Sequence, residues 1–113
     1  MAKKETLVRM LKSRDYHVIV IGTGDDVAQK KYKGKLSAFE QARKDIGCDY
    51  IEMHRFPYNV FIGGYPVGKN LVILLDEDAK MRARKPKVNW IATDILGQQV
   101  RGRAVVVPAS AIK

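Results

Sequence analysis

Between Cys48 and Asp76 three strand-forming segments follow one another, with nothing between them long enough to be a crossover. "CDYIEMHRF" alternates, setting Tyr50, Glu52 and His54 on one side and Ile51, Met53 and Arg55 on the other, the pattern of a half-buried strand. "PYNVFIGGYPVGKN" is punctuated by Pro57, Gly63, Gly64, Pro66 and Gly68, so a short strand over 60–62 and then a turn are expected. "LVILLD" is the next strand. Parallel neighbours need a crossover of a dozen or more residues, whereas antiparallel ones close through a hairpin. The middle of the chain is therefore expected to be antiparallel, and the fold α+β rather than doubly wound.

The flanking segments fit that frame. "YHVIVI" (16–21) is β-branched and reads as a buried strand. "SAFEQARKDIG" sets Ser37 three residues before Glu40, the capping-box spacing, and Gly47 at the position that closes a helix. Asn89 can cap a short helix "WIATDIL" that ends at Gly97. "QQVRGRAVVVPA" is a last strand, interrupted at Gly102 and stopped by Pro108. The expectation is one domain over 1–113, with a mainly antiparallel sheet of about five strands and two or three short helices. An N-terminal helical extension is expected over 1–14, and exposed basic loops over 23–35 and 79–88.

Several tempting sites fail on physical grounds. "GGYPVGKN" matches much of a phosphate-binding loop, but that loop needs a following helix and a hydroxyl on the metal. Here Asn70 stands in place of the hydroxyl and a strand begins at once. "GTGDD" lacks the third glycine of a dinucleotide turn, and Asp25 and Asp26 would repel a pyrophosphate. Asp76, Glu77 and Asp78 are consecutive and lack a loop built around one ion, so an acidic turn paired with Lys80 and Arg82 is expected. His17, Cys48 and His54 have no zinc-ligand spacing. His54 and Glu52 share a strand face and are expected to form a structural pair. No catalytic residue, cofactor or metal is assigned, and the chain is read as non-enzymatic.

Charge is the remaining signal. With 21 Lys and Arg against 12 Asp and Glu, the formal net charge is +9. Such a surplus attracts polyanions. It is clustered in "QKKYKGK" and "AKMRARKPK", which lack nearby acids. Lys30, Lys31, Tyr32, Lys33 and Lys35 could grip phosphates and stack an aromatic ring on a base. Arg82, Arg84, Lys85 and Lys87 could track a backbone through the arm that Pro86 bends. Trp90 is expected to cover the core. The lone Cys48 cannot pair within the chain, which favours a reducing compartment, and no apolar run approaches a membrane span. The chain is read as cytoplasmic.

In order, "GCDYIEMHRF", "LVILLDEDAKMRARKPKVNWIATDIL" and "VRGRAVVV" resemble the uncharacterised family called domain of unknown function 3846, small proteins of bacteria, phages and plasmids. The resemblance rests on Tyr50–Ile51–Glu52, the acidic turn from Asp76 to Lys80, Asn89, the Ala92–Thr93 pair and Gly102. The arm "MRARKPK" is more basic than the family's connection, and the first helix and the 23–35 loop look like additions. The resemblance implies a phage or mobile-element setting, where small proteins often obstruct host nucleases or host defence. It supplies no catalytic residue and no ligand. The expected partner is nucleic acid or an acidic host-protein surface, in the host cytoplasm. The rival readings are an anti-defence inhibitor that docks on a host protein by shape, with a homodimer through an exposed strand edge possible, and a metal-dependent enzyme.

Overall fold

The computed structural model describes residues 14–56, 58–62 and 64–112, the side chain of Tyr65 apart. The β-branched and aliphatic runs of the sequence are all strands. In chain order these are β1 (Tyr16–Ile21), β2 (Val27–Tyr32), β3 (Ile51–Phe56), β4 (Val60–Ile62), β5 (Tyr65–Gly68), β6 (Leu71–Asp76) and β7 (Ala104–Pro108). Helix α1 (Ala38–Ile46) lies between β2 and β3, and α2 (Trp90–Leu96) between β6 and β7.

Five strands form one sheet in the order β2-β1-β7-β6-β3, and β4 and β5 form a separate hairpin. Every pairing is antiparallel. The fold is α+β, with β3 and β6 paired across the intervening β4–β5 hairpin and with neither of its strands. Strands β6 and β7 are central and covered on both faces, so Val72 to Leu75 and Ala104 to Val107 are buried without alternation. Alternate residues feed two cores. Val18, Tyr32, Val72, Leu74, Val105 and Val107 pack with Ala42 of α1 on one face. Ile21, Ile73, Leu75 and Val106 pack with Ala92 of α2 and with Val60 of β4 on the other. Each such aliphatic side chain contributes roughly 1.5–3 kcal/mol relative to exposure.

Helix ends follow local chemistry. Gly47 and Gly97 both adopt positive φ, 79° and 77°, and their N–H groups donate to Arg43 and Thr93 carbonyls. Asn89 caps α2 by accepting from the Ala92 N–H at 3.1 Å. The capping box expected at α1 is only half present. Ser37 holds the N-cap position, but its side chain makes no capping bond, and Glu40 pairs with Arg43 instead. The preceding turn is tied down by Gln41, whose side chain accepts from the Lys33 N–H and donates to the Lys33 carbonyl.

The segment over 23–35 departs from its expectation. It is no loop through its middle: β2 pairs with all of β1, from Ile21↔Val27 to Tyr16↔Tyr32. Asp25, at φ 61°, and a Gly22 N–H bond to the Asp26 carbonyl close the turn. Gly22 lies against the Asp26 carboxylate, which leaves no room for a β-carbon. An edge strand needs little apolar alternation, and here Tyr32 alone is buried, so the pattern of a strand was hidden. The 79–88 stretch begins with a 3-10 turn (Ala79–Met81) that buries Ala79, is exposed from Lys80 to Lys85, and then pairs with the segment before β7. The helix expected over 1–14 falls outside the described residues, except for Arg14.

Candidate nucleic-acid interface

The register places the two cationic stretches. Tyr32 is opposite Tyr16 at the start of β1, so Lys33 and Lys35 lie beyond that end. Asp76 closes β6, and β6 runs the same way as β1 because both are antiparallel to β7. The arm after Asp76 therefore leaves from the opposite end of the sheet. Seven residue levels and three strand spacings separate Lys33 from Asp76, roughly 25–30 Å at standard strand geometry. The two stretches do not merge into one footprint.

At the arm, acids accompany the cations. Arg82 Nη2 lies 2.8 Å from Asp76 Oδ2, and the Asp76 side chain is only 4% exposed. Asp76 Oδ1 also accepts the Asp78 N–H at 3.0 Å. Arg82 is thus committed to a buried carboxylate, not to an external phosphate, because its loss would strand that charge. The arm then pairs with the segment before β7. Arg101 Nη1 donates to the Pro86 carbonyl at 2.9 Å, Gly102 N–H donates to the Lys87 carbonyl at 2.9 Å, and Val88 bridges Arg101. Arg101 and Arg103, which nothing in the sequence pattern singles out, join Arg84, Lys85 and Lys87 at this end. The same end carries Asp25 and Asp26 of the β1–β2 turn, with Asp76, Glu77 and Asp78.

The other end has few acids. Lys31, Lys33, Lys35, Arg14 and Lys69 are exposed there. Lys69 belongs to this end because Leu71 opens β6 opposite Pro108, the last residue of β7. Asp15 is the carboxylate paired with a cation there. Asp15 Oδ2 is 3.7 Å from Lys33 Nζ. The Gly34 N–H, which donates to Asp15, together with Lys33 holds that carboxyl below its usual range. Among the described residues no carboxylate lies within ion-pair distance of Lys31, Lys35, Arg14 or Lys69.

Two aromatic expectations are corrected. Tyr32 is 1% exposed and cannot stack on a base. Its hydroxyl donates to Asp45 Oδ2 at 2.6 Å, and its ring meets Tyr16 edge-on at 6.0 Å. Burial and the Asp45 carboxylate push its phenol far up, so it stays a neutral donor. Lys30 is bound to the other oxygen of the same carboxylate at 2.6 Å. Trp90, expected in the core, is 61% exposed at the start of α2, where Asn89 and Ala92 fill the interior instead.

The expected Glu52–His54 pair forms, and the acidic turn pairs with one of its two expected cations. Glu52 Oε2 lies 2.5 Å from His54 Nε2, a pair on one strand face. Asp76 has Arg82 as its partner, while Lys80 makes no ion pair among the described residues. Glu52, Asp76, Glu77 and Lys80 line a shallow depression with Gln98 and Gln99. Among the described residues no group of three or more His, Cys, Asp or Glu could hold a metal ion. Cys48 is half-buried, and burial with the Asp76 carboxylate pushes its thiol up to about 11, the opposite of an activated nucleophile. No helix among the described residues is long and apolar enough to cross a membrane.

No family model matches this chain, and no curated protein or solved structure matches it either.

Proposed function

We propose that this chain is a non-enzymatic accessory protein of a phage or plasmid that binds nucleic acid in the host cytoplasm. The contact surface is the lysine end of the sheet: Lys31, Lys33 and Lys35, with Arg14 and Lys69 beside them. One observation carries the reading. Arg82 of the arm is held by the buried Asp76, at an end that also carries Asp25, Asp26, Glu77 and Asp78, whereas Lys31, Lys35, Arg14 and Lys69 at the opposite end are exposed with no carboxylate in ion-pair distance among the described residues. A field of one sign on one end steers and holds a polyanion; a mixed end does not. Lys30 is discounted by Asp45 at 2.6 Å and Arg82 by Asp76 at 2.8 Å, while Lys33 meets Asp15 only at 3.7 Å. The resemblance to domain of unknown function 3846 supplies the mobile-element setting and nothing about the contact.

The test is binding of the full chain to single- and double-stranded DNA and RNA across salt. Contacts to phosphate predict a log-log salt slope of about −0.7 to −0.9 per contact, and a clear loss of affinity between about 50 and 200 mM. Affinity indifferent to salt over that range defeats the reading.

A second reading has its own observation. Trp90, at 61%, and Phe61, at 55%, are exposed on α2 and β4, which pack against each other. Exposed aromatics of this kind anchor protein partners. In this reading the chain is an inhibitor that docks on a host protein. Capture of a host protein after nuclease treatment, abolished by Trp90→Ala, favours it over nucleic acid.

A further inference from the structure

The two edges of the five-stranded sheet differ in kind. Edge strand β2 presents Lys30 and Lys31, the usual device against pairing with another strand. Edge strand β3 carries no lysine; its Glu52 and His54 pair with each other, and Arg55 is its one exposed cation. The strand pairs with β6 along its whole length, from Ile51↔Asp76 to Phe56↔Leu71, without a bulge or an internal proline. Among the described residues no strand pairs with its outer side. The ladder runs one residue further, since Tyr50 accepts the Glu77 N–H at 3.1 Å. Exposed apolar side chains gather along it: Tyr50 at 62%, Met53 at 40% and Tyr58 at 59%.

We propose that β3 is the interface with a second copy of this chain, paired antiparallel about a two-fold axis at Met53. The register follows from symmetry and charge. In a two-fold antiparallel pair the residue on the axis meets itself, and its neighbours meet each other's mirror positions. An axis at Glu52 would oppose two carboxylates, and one at His54 would oppose two imidazoles. An axis at Met53 sets Glu52 opposite the partner's His54, twice over. It also sets Ile51 against the stem of the partner's Arg55, and the exposed Tyr50 opposite the partner's Phe56. Phe56 already holds Tyr58 edge-on at 5.6 Å. Each end of the seam thus gains an aromatic cluster, the middle buries two methionines, and complementary groups lie between. The result is one continuous sheet of both copies, with the lysine strands at its two far edges.

The experiment is sedimentation of the full chain, treated with nuclease at high salt so that nucleic acid cannot bridge two molecules. A concentration-dependent dimer is expected. Met53→Lys should weaken it by roughly tenfold or more, since two ammonium groups would then meet on the axis. Lys31→Glu, on the other edge, should leave it unchanged. Because Met53→Lys could also disturb folding, Met53→Cys in a Cys48→Ser background gives a second readout. Oxidation should cross-link that variant into a covalent dimer, while Lys31→Cys in the same background should form no cross-link. A chain that sediments as a monomer at every concentration overturns the proposal. So does a dimer that ignores Met53→Lys, or one that cross-links through position 31 and not 53. None of these outcomes bears on the salt dependence of nucleic-acid binding.

Discussion

Asn89 Nδ2 donates to the backbone carbonyl of Ile21 at 3.0 Å, joining residues 68 positions apart. The same amide donates to the Gly102 carbonyl at 2.9 Å, while Asn89 Oδ1 caps α2. Its backbone N–H donates to the Val100 carbonyl at 2.7 Å. The side chain is fully buried and every polar atom on it is bonded. One residue therefore fixes where the basic arm ends, where α2 begins and how both meet β1.

Asn89→Ala removes the cap and leaves the Ile21 and Gly102 carbonyls without a donor. A loss of about 2–4 kcal/mol is expected, from the combined cost of a lost cap and unsatisfied buried groups. Urea denaturation measures it. Asn89→Asp keeps the acceptor but loses both donors, and should fall close to the alanine variant.

Tyr32→Phe deletes only the hydroxyl bound to Asp45. A hydrogen bond to a carboxylate is worth about 1–3 kcal/mol, and that loss should appear in denaturation. Binding to nucleic acid should not change, because the ring is inside the protein. A drop in affinity with unchanged stability would mean that Tyr32 reaches the ligand.

Trp90→Ala separates an exposed ring from a core one. At its observed exposure the stability should change by no more than about 0.5 kcal/mol. A buried tryptophan would cost about 3–5 kcal/mol.

Lys31→Ala, Lys33→Ala and Lys35→Ala combined should weaken binding to nucleic acid and flatten its salt slope. On duplex DNA the flattening should be about 0.9 for each phosphate that is no longer neutralised. The matching triple change at Arg84, Lys85 and Lys87 should weaken binding much less, since Asp25, Asp26, Asp76, Glu77 and Asp78 share that end. Equal losses of affinity from the two triples would show that both ends touch the nucleic acid.

Cys48 links stability to pH in a stated direction. Its folded thiol sits at about 11 against a reference of 9.0, chiefly through burial. A raised value means that the folded state holds the proton more tightly. Its contribution is therefore whole below about pH 9 and is lost as pH rises toward about 11. Denaturation midpoints across that window should fall, and less steeply in Cys48→Ala. Alkylation of the folded protein at mildly alkaline pH should be about a hundredfold slower than that of a free thiol.

The sequence alone determined what neighbours along the chain decide. The run of short strands between 51 and 76 marked an α+β chain, and Gly47, Gly97 and Asn89 marked helix ends from their own chemistry. The Glu52–His54 pair was readable because alternate residues of a strand share a face. Tertiary structure decided the rest. Strand β2 exists because β1 offers it a partner, not because "VAQKKY" alternates. Tyr32 is inside and Trp90 outside because burial depends on which element lies opposite, and local sequence does not encode that. The fate of the charges was likewise set by strand order. Coulomb energy depends on distance in space, and only the folded sheet brings Asp76 to Arg82, Asp45 to Lys30, and leaves the lysines beyond Tyr32 with little to oppose them.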